Sequence, residues 1–250
     1  MNILKQARKS ARFLIEAIDG GETCLCCGKE ARALPLCPDC KKNLLTIDFS
    51  AKSHGRCKKC GKILLSELEI CRECRENERI LYVDYRFPIF PYRNWKKNLL
   101  FEWKMAENRT LSPFFADCIA TVLQKNGWQS FPVVPIPPRP WKIHKKGWDQ
   151  IDELAHFLHS EHAVAILKLL VRTSAAEQKR LSATARFENS AGGYALRHNF
   201  ERLFQKCGCP KTAVLLDDIT TTGATLDACA KLLKRAGVQR VIAVTLFSAR

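Results

Sequence analysis

The sequence predicts an α/β protein, a parallel sheet flanked by helices, preceded by a small N-terminal module built on paired cysteines. Three observations carry this expectation. Four apolar runs, FPVVPI (131–136), AVAILKLLV (163–171), TAVLLDDI (212–219) and RVIAVTLF (240–247), are continuous, and segments of helical spacing lie between them. Strands of that kind are buried on both faces, as in a parallel sheet with helices above and below. Eight cysteines stand in four CxxC pairs between residues 24 and 74. The third observation is LLDDITTTGATLDAC (215–229), where an apolar strand runs into two aspartates, then hydroxyl residues around one glycine, then a helix.

The chain opens on Ile3, Leu4, Ala7, Ala11, Leu14, Ile15 and Ile18 at helical spacing, which predicts an amphipathic helix. This stretch lacks the uninterrupted apolar core and small-residue cleavage site of a secretory signal. No apolar run approaches the roughly 20 residues of a membrane span. The expected location is cytoplasmic, and there thirteen cysteines point to metal ligation in preference to disulfides.

The pairs are Cys24/Cys27, Cys37/Cys40, Cys57/Cys60 and Cys71/Cys74, separated by nine, sixteen and ten residues. A CxxC turn lets two thiolates grip one tetrahedral ion, and two such pairs close a structural site with no open position for catalysis. The expectation is two structural Zn²⁺ ions. Pairing first with second and third with fourth is the simpler choice, and interleaved pairing is also allowed. Cys26 offers an extra thiol beside the first pair. Gly28 and Gly61 follow their knuckles directly, where a positive φ is often needed. So small a module draws its folding energy from metal. These features divide the chain into a module over 1–80 and an α/β domain over 81–250.

Net charge is +16; eight thiolates against two divalent ions remove four charges, which leaves +12 and still favours polyanions or phosphorylated ligands. Residues 1–80 hold 16 basic and 11 acidic side chains, so the cysteine module itself is close to neutral once metal is counted.

In the α/β region, Ser112-Pro113 is expected to cap a helix with the face Phe115, Cys118, Ile119, Val122 and Leu123. Asp149 to His159 reads as a second helix, and Ser174 with Glu177 as a capping box for a third. Leu226, Cys229, Ala230 and Leu233 mark the last, which ends at Gly237. Ligands of such sheets bind at the carboxyl ends of the strands. There Gly223 permits close approach, and the amides from Thr221 through Thr222, Gly223 and Ala224 to Thr225, with the following helix N-terminus, form a cradle for one phosphate. Asp217 and Asp218 accept hydrogen bonds only and suit vicinal hydroxyls beside that phosphate. A phosphate next to a diol is a ribose 5-phosphate. No Walker A string is present.

VLLDDITTTGAT (214–225) resembles the phosphoribosyl pyrophosphate (PRPP) motif of type I phosphoribosyltransferases. VVPIPPRPWKIHKKGWDQIDELA (133–155) is similar to the VPVPL…RGFNQ…LA segment of the ComF family of competence-associated, phosphoribosyltransferase-like proteins. Arg172, Gln178, Leu181, Arg186, Asn189 and Tyr194 match the spacing of that family's next segment, Lys104 falls where the family has a lysine after its first hood strand, and the double CxxC–CxxC module matches as well. The resemblance implies a type I phosphoribosyltransferase-like fold with a zinc-bearing extension, binding PRPP with Mg²⁺. It places the ribose hydroxyls on Asp217 and Asp218 and the 5-phosphate on residues 221–225. Pyrophosphate falls on the Pro135–Pro138 turn, with Arg139 and Lys146 as charge partners and Arg186, in a flap over Lys179–Asn189, as the catalytic candidate. Lys146 stands in place of arginine, Trp148 of phenylalanine, and Asp149 of asparagine, which brings an acid near the pyrophosphate end.

Two functions follow. One is transfer of the phosphoribosyl group to an unidentified acceptor, by positioning and by neutralising the leaving group. The other is a non-catalytic protein handling single-stranded DNA during uptake in natural transformation, alongside competence-machinery proteins. Residues 168–202, with seven basic and three acidic side chains, would then follow the DNA phosphates.

Overall fold

The structure is a computed structural model that describes residues 23–31, 35–45, 56–57, 59–62, 64, 69–76, 81–92, 95–138, 148–173, 190–191 and 193–249. The expected helix over Ile3–Ile18, the capping box at Ser174 and Glu177, and the flap over Lys179–Asn189 lie outside them.

Helices α1 (Pro38–Leu45) and α2 (Arg72–Glu76) belong to the cysteine region. The rest runs β1 (Tyr85–Pro91), α3 (Trp95–Lys104), α4 (Leu111–Lys125), β2 (Val133–Pro135), α5 (Gln150–His162), β3 (Leu170–Arg172), β4 (Ser190–Ala191), β5 (Tyr194–Leu196), α6 (Phe200–Cys207), β6 (Thr212–Thr220), α7 (Ala224–Arg235) and β7 (Arg240–Ser248). Four strands form a wholly parallel sheet in the order β1-β7-β6-β2, and β3, β5 and β4 form a small antiparallel sheet.

The continuous apolar runs make sense once each strand is split by parity, since alternate side chains face opposite sides. Val133, Val214, Leu216, Ile242 and Val244 join one buried cluster, with Leu99 and Trp103 of α3, Phe115 and Ile119 of α4, and Leu154 and Leu158 of α5. Their neighbours Val134, Ala213, Leu215, Val241 and Ala243 join a second cluster, with Leu226, Cys229 and Leu233 of α7 and Tyr194 and Leu196 of β5. Both faces are therefore covered, as the composition requires. Cys118 and Cys229 are fully buried in these clusters, and burial pushes both thiols up.

From β2 the chain goes outward through α5 to an isolated bridge between Val133 and Ile166, while β6 lies on the other side of β2. The carboxyl ends of β2 and β6 thus flank a point where the connections diverge, the place where such sheets take ligands.

Three local expectations are corrected. AVAILKLLV is not one strand: only Ile166 bridges to β2, and the chain then turns so that β3 joins the antiparallel sheet. The left-handed Ala163 (φ 56) caps α5 and starts that change of course. Ser112 does not cap α4, which begins at Leu111 after Thr110. It is wholly buried and accepts from the Trp103 indole at 2.8 Å while its hydroxyl donates to Glu153. Lys104 does not follow a strand directly: after β1 the chain forms α3, and Lys104 ends that helix.

The cysteine region packs directly on the sheet. Cys24, Leu36, Cys37 and Leu44 share a cluster with Phe87 and Phe115. Arg56 is buried, donates to the carbonyls of Gly61 (2.8 Å) and Pro88 (3.3 Å), and lies 4.4 Å over the Phe87 ring. Gly61 comes so near β1 that a Cβ there would sit 2.0 Å from the Arg86 carbonyl oxygen.

Candidate functional site

Parity also arranges the acidic pair. Asp218 continues the Val214–Leu216 side of β6, which faces α3 and α5, and its carboxylate is ion-paired with the Lys104 ammonium. The Gln150 amide donates to the Lys104 carbonyl at 3.4 Å and ties the end of α3 to the start of α5. Asp217 continues the other side and interacts electrostatically with Tyr194 and Cys229 there. One of its oxygens accepts the Asp218 backbone N–H at 2.9 Å. Burial, and next the Asp218 charge, push the Asp217 carboxyl up to about 8, against the opposing pull of Lys104. Two adjacent acids beside the Lys104 ammonium cannot both ionise cheaply, so Asp217 holds its proton until a hydroxyl-donating or cation-bearing ligand favours the carboxylate form.

After the acids, Thr221 and Thr222 are exposed, and Gly223 (φ 82) takes the left-handed conformation that a side chain resists. The Thr222 hydroxyl accepts the Ala224 N–H at 3.3 Å, and the Asp227 N–H donates to the Gly223 carbonyl at 2.9 Å, the first bond of α7. Ala224 and Thr225 are exposed on the first turn, whose amides have no partner within the helix. Residues 221–225 thus form an open rim at a twelve-residue helix's positive end. Thr220 escaped the sequence reading. Its hydroxyl is buried just before the rim with no hydrogen-bond partner among the described residues, and its place in the TTT run was the available signal.

Arg172 and Tyr194, known from the sequence only by spacing, also meet. The guanidinium donates to the Tyr194 oxygen and lies 4.7 Å over its ring, and the Thr225 side chain hydrogen-bonds to the same phenol. Asp149 caps α5, its carboxylate accepting Ile151 and Asp152 N–H at 3.0 Å each. Burial pushes its carboxyl up, and Asp218 adds to the effect. The substitution for asparagine keeps a good cap residue, which gives this acid a structural reason. Arg139, Lys146 and Arg186 lie outside the described residues.

The cysteines gather as two groups, Cys24/Cys27/Cys37/Cys40 and Cys57/Cys60/Cys71/Cys74, so adjacent pairs combine. Each group joins a glycine-ended knuckle to a helix start. Gly28 (φ 71) and Gly61 (φ 68) donate to Cys24 and Cys57 carbonyls at 2.8 Å, and Cys37 and Cys71 immediately precede α1 and α2. Cys27 and Cys37 sulfurs lie 3.7 Å apart, as do those of Cys60 and Cys71. Four sulfurs about 2.3 Å from a central ion form a tetrahedron with edges of about 3.8 Å, so both groups fit Zn²⁺. Cys26 stands outside the first group.

Among the described residues no helix is long and apolar enough to cross a membrane. The phosphoribosyl transferase domain model matches residues 210–250, which span β6, the rim, α7 and β7. The chain is 28% identical over 211 residues to Competence protein ComFC of Streptococcus pneumoniae, covering 82% of this chain and 84% of that protein. It is 24% identical over 217 residues to Competence protein F of Haemophilus influenzae, covering 82% and 87%.

Proposed function

From the chain's membership of the ComF family, we propose that it binds PRPP, or a related ribose 5-phosphate ligand, at the carboxyl end of β6. The observation that carries this is the succession of two acids, an exposed hydroxyl-rich turn and a helix start within the segment matched by the phosphoribosyl transferase domain. Asp217 and Asp218 accept the ribose hydroxyls, and residues 221–225 surround the 5-phosphate with amides and hydroxyls. Lys104 is close enough to Asp218 to exchange that partner for a ligand phosphate. Mg²⁺ would supply charge neutralisation on the pyrophosphate, held chiefly by ligand oxygens and water.

In transfer, the bond from ribose C1 to the pyrophosphate oxygen breaks and pyrophosphate keeps the electron pair. An acceptor nitrogen forms the new bond to C1 and gives up a proton. This chain's residues position the ribose and neutralise charge. Arg186, Arg139 and Lys146 are proposed on the leaving group from the family resemblance. The two cysteine groups are proposed to hold structural zinc, and residues 1–80 to form a unit of their own chemistry laid against the 81–250 domain.

Calorimetric titration with PRPP and Mg²⁺ tests this. Saturable binding abolished by combined Asp217→Asn and Asp218→Asn supports the pocket, and binding untouched by them removes it. A second reading, single-stranded DNA handling in competence, is favoured by the net charge of +16. It predicts oligonucleotide binding with a steep salt slope that survives those two substitutions.

A further inference from the structure

The thirteen cysteines differ in their surroundings. Eight form the two metal-ligating groups, Cys26 stands beside the first, and Cys118 and Cys229 are buried among apolar side chains. Cys207 and Cys209 fit none of these settings. Both are exposed, in the stretch KCGCPK (206–211) that joins α6 to β6. Among the described residues neither belongs to a group of three or more metal-ligating side chains. Those residues offer them no closed four-ligand site, so their shared chemistry is that of a dithiol.

Each sulfur donates to a main-chain carbonyl at a helix end. Cys207 is the last residue of α6, and its thiol donates to the Leu203 carbonyl one turn back at 2.8 Å. The Cys209 thiol donates to the Ala236 carbonyl at 3.7 Å, where α7 ends, and a Cβ on Gly237 would lie 3.2 Å from its sulfur. The two thiols also interact electrostatically with each other. Between them Gly208 takes φ 78 and ψ 152, a conformation essentially confined to glycine. A Cβ there would meet nothing within 4 Å, so glycine is required by the backbone path and not by crowding. Two residues of extended chain span at most about 7 Å, and disulfides join Cα atoms about 4.4–6.8 Å apart. A small rotation at Gly208 therefore suffices to close a ring. The helix that would yield is lightly held: α6 has no buried residue, and Phe200, Leu203 and Phe204 pack only part-buried against the cluster of α7.

We propose that Cys207 and Cys209 form a redox modification site, a dithiol that exchanges with an anionic low-molecular-weight disulfide to close an intrachain ring. Lys206 and Lys211 flank the pair, and a chain of net charge +16 attracts such an oxidant. One thiolate attacks a sulfur of the small disulfide, forming a mixed disulfide and releasing one small thiolate. The other cysteine loses its proton to solvent and attacks the first cysteine's sulfur, and the second small thiolate leaves. The protein pair gives up two electrons and two protons, and the small disulfide becomes two thiols. The ring removes both S–H donors. It also includes the Gly208 nitrogen, whose N–H closes α6 on the Phe204 carbonyl at 2.8 Å. Oxidation therefore loosens the last turn of α6 and frees Cys209 from the end of α7.

The probe is oxidised glutathione, added in excess to the full chain loaded with stoichiometric Zn²⁺, which shields the ligating cysteines. Alkylation, trypsin and mass spectrometry follow. The peptide 207–211 should lose two hydrogens in mass, resist alkylation, and recover both reactive thiols with dithiothreitol. Cys207→Ser and Cys209→Ser, both at exposed positions, should each retain one glutathione instead. In the ring-closed chain the amides of residues 204–208 should exchange hydrogen about tenfold faster, the protection given by one hydrogen bond. Full alkylation of both thiols under excess oxidised glutathione overturns the proposal. So does a mixed disulfide that persists in wild type, since the second thiol then fails to reach the first. Dimers joined through Cys207 or Cys209 also overturn it, because the pair then bridges chains. Unchanged amide exchange in the ring-closed chain would refute the loosening of α6.

Discussion

Lys104 and Asp218 stand 114 positions apart in the chain, and their side chains form an ion pair at the mouth of the β6 site. Asp217, one residue earlier, has no ion-pair partner among the described residues, and its carboxyl is pushed up to about 8 by burial and by Asp218. A ligand that donates hydroxyls prefers the carboxylate form. Below pH 8 binding must therefore expel a proton, and affinity for ribose 5-phosphate should fall about tenfold per pH unit between 7.5 and 6. Titrations in buffers of different ionisation enthalpy should show up to one proton released per site. Asp217→Asn should bind weakly at every pH, with a flat profile.

The same carboxyl shapes stability. Its folded pKa is raised above the ordinary carboxylate value of 3.8, so its contribution is fully present below about pH 4 and lost as pH rises through about 8. Asp217→Asn should match wild type in thermal unfolding near pH 4 and exceed it at pH 9. A constant difference across that window would contradict this.

Replacing Lys104 by methionine leaves Asp218, whose side chain is 13% exposed, beside Asp217 and Asp149 with no nearby ammonium among the described residues. Denaturant unfolding at pH 8 should lose about 1–3 kcal/mol, and the loss should shrink as pH falls and the acids protonate. Lys104→Arg should restore most of it, because charge matters more than reach at this pair.

Gly28 and Gly61 share a conformation and differ in surroundings. A Cβ at Gly28 would meet nothing within 4 Å, so Gly28→Ala should cost about 1–2 kcal/mol for its positive φ. At Gly61 the Cβ would meet the Arg86 carbonyl at 2.0 Å, a clash with backbone that cannot yield cheaply. Gly61→Ala should lower the melting temperature several times more than Gly28→Ala.

Metal analysis should find two zinc ions per chain, unchanged by Cys26→Ser and reduced to one by Cys37→Ser or Cys71→Ser. Chelation should lower the melting of the α/β core as well as the cysteine region, because Cys24 and Cys37 lie in the same buried cluster as Phe87 and Phe115. A chelated chain melting at the unchanged temperature would refute that coupling.

What the sequence revealed was whatever sits close together along it. The acids, threonines and Gly223 are consecutive, and CxxC spacing announces its own geometry. The β6 and β7 runs show their burial directly, since each of their apolar residues packs in one cluster or the other. Contacts made only by folding were invisible: Lys104 on Asp218, Trp103 on Ser112, Arg172 on Tyr194. The strand YRFPIFP escaped notice because its prolines argue against a central strand, and it proves to be the last strand of the sheet, where proline is tolerated. Asp149 read as an electrostatic liability because its capping bonds depend on the turn that starts α5.

β1 forms the open margin of the parallel sheet, and the second cysteine knuckle lies against it, with Gly61 on the Arg86 carbonyl and Arg56 on that of Pro88. Backbone groups on such a margin are ready to recruit a strand from another molecule. The knuckle thus acts as a guard as well as a brace. A chain deprived of it would be expected to clump with its own copies at temperatures where the rest of the molecule is still folded.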